Sequence, residues 1–116
     1  MVLTQKQLAD VANLLRRDVL EMTTSAGSGH ATSCLSCAEI MSVLWFDEML
    51  YNLSNAHDSS NDEFILSKGH AAPILYSALK RAGCINHDLF KLRSVTSALE
   101  GHPIPSNLMP WVKVAS

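Results

Sequence analysis

The sequence predicts an α/β fold that is mostly helical in this chain, with at least one buried parallel strand. Two stretches, residues 4–22 and 36–50, carry apolar side chains at the spacing of helices. The run FIL at 64–66 is short, continuous and apolar, which is typical of a strand buried in a parallel sheet. Because one strand is too few for a sheet, we expect the chain to be part of a larger α/β domain.

Composition narrows the class of protein. The chain has 116 residues, enough for one domain at most, and 47% of them are hydrophobic, which predicts a folded chain. The net charge is −2, so neither nucleic acid nor an anionic membrane is an expected partner. The N-terminus lacks the pattern of a secretion signal, and three cysteines are an odd number for a disulfide framework. We therefore expect a cytoplasmic protein with reduced thiols.

The first predicted element is an amphipathic helix over 4–22. Its apolar residues recur every three or four positions, at Leu8, Val11, Leu15, Val19 and Met22. Residues 25–35 are rich in glycine and serine and predict a loop. Ser36 and Glu39 then fit a capping box, which predicts that a second helix begins there and continues through Leu50. Because that helix is apolar nearly all round, we expect protein on both of its faces.

The second half of the chain predicts a loop, a helix and a tail. Residues 52–63 are polar and rich in turn formers. After the strand, a proline suits the first turn of a helix over 74–81, and Gly83 suits its C-terminal end. We expect a shorter helix over 87–93 and, from residue 97 onward, a loop broken by three prolines.

Glycine precedes histidine three times, at His30, His70 and His102, although the chain has only five histidines. Each pair lies where one predicted element meets the next. A glycine lets the backbone approach a ligand closely or take a positive φ, which aims the next side chain outward. Histidine transfers protons near neutral pH, and its neutral ring can donate to phosphate oxygens. The repetition favours one shared site, but the residues alone also allow three unrelated loop histidines.

Cys34 and Cys37 form a CxxC pair that allows several interpretations. Zinc binding requires a second pair of ligands, and a redox motif requires a neighbouring βαβ unit. The third cysteine, Cys84, is solitary in the sequence. Buried structural thiols are therefore the favoured interpretation. Lys68, close to His70, fits an anion contact and a solvated side chain equally well.

Four segments in the same order resemble the N-terminal part of transketolase, a thiamine diphosphate enzyme, over about residues 8–115. They are TTSAGSGHATSC, AEIMSVLWF, NDEFILSKGHAAPILY and LEGHPIP. The resemblance implies the activity of the family, which is transfer of a two-carbon ketol unit from a ketose phosphate to an aldose phosphate in the pentose phosphate pathway. The cofactor serves as the electron sink, while the protein orients the substrate and moves protons.

The resemblance also implies roles for individual residues. His30 and His102 match family histidines that bind the substrate and move protons, so they are the expected catalytic and substrate-binding residues. Ser33 and His70 match contacts of thiamine diphosphate. The implied partners are sugar phosphate substrates and, in a full-length protein, a second copy in a homodimer.

The family holds a magnesium or calcium ion against the diphosphate through a segment that has no counterpart in this sequence. No residue of the chain is therefore an expected metal ligand. We expect residues 1–116 to be a partial N-terminal thiamine diphosphate-binding domain that stops before this metal and diphosphate motif. Alone, the chain is expected neither to bind the cofactor tightly nor to be active, and its apolar helix predicts poor solubility or oligomers.

Two other functions stay open at this point. A transketolase-like chain without catalysis could serve as an interaction module through the apolar helix over 40–50. A small Cys/His metal-binding domain is a more distant alternative, and the metal content of the purified chain would test it.

Overall fold

Four α-helices carry the fold in the computed structural model, which describes residues 2–92, 99–100, 103–106 and 109–113. The helices are α1 (Gln5–Ala26), α2 (Ala31–Leu35), α3 (Ala38–Val43) and α4 (Ala72–Ala82). A π-helical turn, Leu44–Glu48, continues α3, and 3₁₀ turns cover Gly69–Ala71 and Leu89–Lys91.

α1 has well-formed caps at both ends. Oγ1 of Thr4 accepts from the N–H of Gln7 at 3.1 Å, and Oε1 of Gln7 accepts from the N–H of Thr4 at 2.9 Å, which makes a capping box. Gly27, with a φ of 70°, ends the helix by donating its N–H to the carbonyl of Thr23. The predicted helix is confirmed, but it runs four residues further, to Ala26, because the left-handed cap that ends it is at Gly27.

The loop predicted over 25–35 is observed only over 27–30, because α1 continues to Ala26 and α2 begins at Ala31. Cys34 in α2 is fully buried, and this burial stabilises a short helix that its composition does not indicate. The predicted capping box at Ser36 and Glu39 is also wrong. Ser36 lies in helical backbone at the end of α2, and Glu39 pairs with Arg16. Because the chain passes almost directly from α2 into α3, there is no isolated helix start for a capping box to close.

α4 lies at the centre of the core. Every residue over 72–79 is buried, and the helix packs against α1, α2 and α3. Pro73 in its first turn and Gly83 at its end, with a φ of 87°, confirm the predicted helix. By contrast, the expectation of protein on both faces of the second predicted helix is not met within the described chain. Ile40 and Val43 of α3 are 60% and 37% exposed, because α1 and α4 pack on the other side.

The π-helical turn after α3 brings Trp45 into the core. A π turn spans one residue more than an α turn, and the N–H of Met49 closes it on the carbonyl of Leu44 at 2.9 Å. Trp45 is 3% exposed and packs edge to face against Tyr51, with ring centroids 5.3 Å apart. The hydroxyl of Tyr51 donates to the carbonyl of Trp45. These aromatic contacts fix the start of the polar loop on the core.

The strand predicted over 64–66 is not formed in the described part of the chain. Leu66 is buried, whereas Ile65 is 56% exposed. A strand needs a neighbouring backbone for its N–H and C=O groups. The described residues carry only isolated bridge positions, as at Leu66 and between Ser106 and Met109. The helical part of the predicted fold class is therefore observed, and the buried strand is not.

The remaining predicted elements are confirmed in part. Residues 52–63 form turns, which side-chain amides and carboxylates hold by hydrogen bonds to the main chain. A single 3₁₀ turn, Leu89–Lys91, stands in place of the helix predicted over 87–93, of which residue 93 lies outside the described residues. From residue 97 onward, the described residues contain no helix, in agreement with the predicted loop.

Candidate functional site

The backbone leading to His30 requires a glycine. Gly29 has a φ of 133°, in a region that residues with a side chain rarely adopt. A Cβ added to Gly29 would lie 2.6 Å from Cγ2 of Thr23 in α1. His30 follows at the start of α2 with an exposed side chain. The glycine before this histidine therefore provides the positive φ and the close approach to α1 that place His30.

Gly29→Ala is expected to destabilise the chain by about 1–3 kcal/mol, because it combines a positive φ with a clash against Thr23. Gly27→Ala is the matched control. Its φ is 70° and no atom lies within 4 Å of the added Cβ, so the left-handed backbone alone opposes the change. We expect this control to lose only about 1 kcal/mol. Urea denaturation measures both variants, and equal losses would show that the contact with Thr23 is unimportant.

Two of the three glycine–histidine pairs meet in space. His70 lies in the 3₁₀ turn before α4, and its ring packs edge to face against that of His30, with centroids 5.0 Å apart. Oγ of Ser33 in α2 lies 3.1 Å from Nε2 of His70, although the two residues are 37 positions apart. Three residues predicted for one site are therefore in contact. The fourth, His102, lies outside the described residues.

Lys68 adds a cation to these residues. Its Nζ donates to the carbonyl oxygen of Ser33 at 2.7 Å and to Oγ of Ser36 at 3.3 Å. From the sequence alone, Lys68 fits an anion contact and a solvated side chain equally well. Ser36 is predicted there as a helix cap, not as a partner of Lys68. No spacing rule connects residue 68 with α2, so only the fold reveals the contact. We refer to His30, Ser33, Lys68 and His70 together as the histidine cluster.

The histidine cluster combines two imidazole rings, a hydroxyl and an ammonium group. Imidazole and ammonium N–H groups donate to anionic oxygens such as those of a phosphate. Imidazole also takes up and releases protons near neutral pH. His30 is exposed and His70 is half-buried, so a ligand can reach both rings. This set of donors suits an anionic ligand, such as the diphosphate of the cofactor that the family resemblance implies.

Burial raises the pKa of all three cysteines, so they are protonated thiols near neutral pH. Cys34 is fully buried, and burial raises its pKa to about 11. Burial also raises the pKa of Cys37, although the nearby Lys68 opposes this in part. Cys84 is half-buried, and burial raises its pKa to about 12. Burial and protonation favour structural thiols over a redox pair. No group of three His, Cys, Asp or Glu side chains that could hold a metal is found among the described residues.

In the native chain at about pH 8, all three cysteines are expected to react slowly with an alkylating reagent, because the thiolate is the reactive form and raised pKa values make it scarce. Unfolding in urea should accelerate the reaction, most of all at Cys34, which has no exposed surface. Mass spectrometry of the separate peptides gives a rate for each cysteine. Rapid alkylation of Cys34 in the folded chain would contradict its place in the core.

The exposed donors of the histidine cluster point to a ligand-binding domain, and comparisons with known proteins identify its family. Residues 4–113 match the family model described as transketolase, thiamine diphosphate binding domain. Human transketolase is 48% identical over 110 residues, which are 94% of this chain and 18% of the human protein. Transketolase-like protein 2 of Bos taurus is 50% identical over 114 residues, or 97% of this chain and 18% of that protein.

A solved structure has the same fold. Transketolase from Leishmania mexicana superposes with a TM-score of 0.85 and 28% sequence identity, over 97% of this chain and 16% of that one. The chain belongs to the transketolase family, within its thiamine diphosphate-binding domain. The resemblance stated from the sequence is thus confirmed.

The chain spans 18% of the length of the curated relatives it matches. The metal, the homodimer, the compartment and the roles of His30, Ser33, His70 and His102 stay predictions. Over the ranges that the structure describes, every helix is too short or too polar to cross a membrane.

Proposed function

We propose that this chain supplies part of the cofactor site of a transketolase, which transfers a two-carbon ketol unit from a ketose phosphate to an aldose phosphate. The contact among His30, Ser33 and His70 carries the proposal, because side chains from α2 and from the turn before α4 meet at one accessible point. Family membership indicates thiamine diphosphate as the cofactor. The proposed setting is the pentose phosphate pathway in the cytoplasm.

Within this site, Ser33 and His70 are proposed to bind the diphosphate. Their side chains lie 3.1 Å apart, so a single phosphate group can contact both the hydroxyl and the imidazole ring. His30 is proposed to act on the substrate. It is exposed, and its imidazole nitrogens can take a proton from a substrate hydroxyl and return it. His102 shares the role of His30 in this proposal.

Thiamine diphosphate, when bound, supplies the electron sink for the two-carbon transfer. The contribution of this chain is to hold diphosphate oxygens and to move the protons of substrate hydroxyls. Mg²⁺ or Ca²⁺ is the proposed metal, with ligands from outside this chain. Sugar phosphates are the proposed substrates, and a second copy of the protein is the proposed partner in a homodimer.

The alternative of a non-catalytic interaction module is not favoured. It depends on an apolar helix, and most of that helix packs in the core, which leaves only a few side chains such as Ile40 and Val43 exposed. Membership of the thiamine diphosphate-binding family supports the cofactor site instead. A Cys/His metal-binding domain is not favoured either, because burial accounts for the cysteines as part of the core.

A chimera tests the proposal in a complete enzyme. In this chimera, residues 4–113 replace the matching segment of human transketolase, which is 48% identical. We expect it to bind thiamine diphosphate and to transfer two-carbon units between sugar phosphates, with the human enzyme as the reference. A folded chimera that does not bind the cofactor would contradict the cofactor-site proposal. One that binds the cofactor but transfers nothing would contradict the catalytic proposal.

A further inference from the structure

We propose that Lys68 is a positioning residue, whose ammonium group holds the end of α2 so that the hydroxyl of Ser33 stays against His70. The importance of Lys68 for a reaction rests on the proposed function. The hydrogen bonds from Lys68 to Ser33 and Ser36, here called the tether, are a property of this chain. Lys68 and His70 stand on one short segment, and both contact Ser33. Nζ lies 2.7 Å from the carbonyl oxygen of Ser33, and Nε2 lies 3.1 Å from its hydroxyl oxygen.

The carbonyl of Ser33 needs side-chain donors because α2 tightens at its end. In a continuing α-helix, this carbonyl would accept from the N–H of Cys37, four residues on. That N–H bonds instead to the carbonyl of Cys34 at 3.2 Å, which ends the regular helix. The carbonyl of Ser33 accepts from the hydroxyl of Ser36 at 2.9 Å and from the ammonium of Lys68 at 2.7 Å. Lys68 therefore completes the end of α2.

A lysine suits this position for electrostatic reasons. An ammonium group has three donors, of which Ser33 and Ser36 engage two. Hydrogen bonds from a charged donor are stronger than those between neutral groups, and a cation near the last carbonyls of a helix is favourable. Lys68 is half-buried, so solvent ions screen the interaction less than they screen one on an open surface.

The tether and the hydrogen bond with His70 restrict Ser33 at two points, its carbonyl and its hydroxyl. With both in place, α2 cannot turn away from the segment of Lys68 and His70 without breaking a charged hydrogen bond. Without Lys68, the hydrogen bond with His70 is the polar contact left between Ser33 and that segment among the described residues, and it will open more often. The partner of one imidazole nitrogen also influences which nitrogen carries the proton. Lys68 therefore acts on His70 through Ser33.

Chemical modification of His70 measures this tether without any cofactor. Diethyl pyrocarbonate acylates accessible imidazole nitrogens, and mass spectrometry gives a rate for each histidine. We expect Lys68→Met to raise the rate at His70 several-fold, as Ser33→Ala does by removing the hydroxyl itself. His57, exposed in the polar loop, is the internal reference and should keep its rate. Lys68→Arg retains a charged donor and is expected to keep His70 protected.

Lys80→Met, in α4, is the matched control for loss of a lysine, and thermal unfolding shows whether each variant is folded. If Lys68→Met does not fold, Lys68→Gln replaces it, because the amide removes the charge and keeps a polar side chain. The proposal is overturned if the folded variant leaves the rate at His70 unchanged while Ser33→Ala raises it. Loss of cofactor binding in the chimera would contradict the proposed function alone, because the modification experiment contains no cofactor.

Discussion

In the chimera with human transketolase, His30→Ala is expected to lower kcat by about 10²–10⁴-fold, because it removes a group that transfers protons at the substrate. His102→Ala should likewise lower kcat or raise the KM for the ketose. His70→Ala should instead weaken thiamine diphosphate binding by about ten- to a hundredfold, because a hydrogen bond to a charged phosphate contributes about 1.5–3 kcal/mol. Excess cofactor should then restore much of the lost rate.

Steady-state kinetics across a cofactor titration separates these outcomes. His57→Ala is the control, since it removes an exposed histidine of the polar loop and should change neither kcat nor cofactor affinity. The proposed roles are wrong if His70→Ala keeps normal cofactor affinity while His30→Ala loses it.

Arg81→Met is expected to lower the free energy of unfolding by about 2–4 kcal/mol, which is less than the cost of breaking a fully buried ion pair because part of the guanidinium is solvated. Asp18 of α1 is 4% exposed, and both of its oxygens accept from Arg81 of α4 at 2.8 Å. The hydroxyl of Ser77 also donates to Asp18 at 2.8 Å. Removing the guanidinium leaves a buried carboxylate that has lost two of these three donors. The side chain of Arg81 is 42% exposed.

Urea denaturation measures this loss, and Arg17→Met is the matched control. Arg17 pairs with Glu21 on the surface of α1, with side chains 75% and 43% exposed, so its loss should cost about 0.5 kcal/mol or less. In a double-mutant cycle, Arg81→Met and Asp18→Asn together should cost less than the sum of the single changes. Equal losses for the two arginine variants would mean that the pair between α1 and α4 is no stronger than a surface pair.

α1 and α4 are predictable from the sequence because their signals are local. α1 carries a regular apolar stripe and ends where the glycines begin, at Gly27. α4 has Pro73 in its first turn and Gly83 immediately after its last residue. Proline and glycine act on the backbone of their own positions, so these ends need no knowledge of the rest of the chain.

α2 is not predictable in the same way, because its stability comes from distant residues. A helix of five residues does not persist through its own hydrogen bonds. Burial of Cys34 beside α4 and the donor group of Lys68 support it, and neither is visible in a local pattern. The predicted capping box at Ser36 is wrong because Ser36 already lies in helical backbone at the end of α2. The strand over 64–66 depends on a neighbouring backbone that no local pattern contains.

For the candidate site, the sequence indicates the residues but not their contacts. His30 and His70 are recognisable because a glycine precedes each one, and Ser33 is indicated only by the family resemblance. The contact of Lys68 with α2 follows from the tightened end of that helix, which no spacing predicts. The convergence of His102 on the same point stays a prediction, because this residue lies outside the described ranges.

The π-helical turn Leu44–Glu48 gives the exit of α3 one residue more than an α-helical turn needs. Its extra residue rotates every later side chain by roughly 100° relative to a continuing α-helix. Deleting one residue there would convert the π turn into an α turn, in which the main-chain groups are still hydrogen-bonded. The same deletion within α4 would turn a helix that is buried over 72–79 by roughly 100° and displace all of its packing. Loss of a single residue is therefore expected to be tolerated better at the exposed end of this turn, at Asp47 or Glu48, than within the buried run of α4.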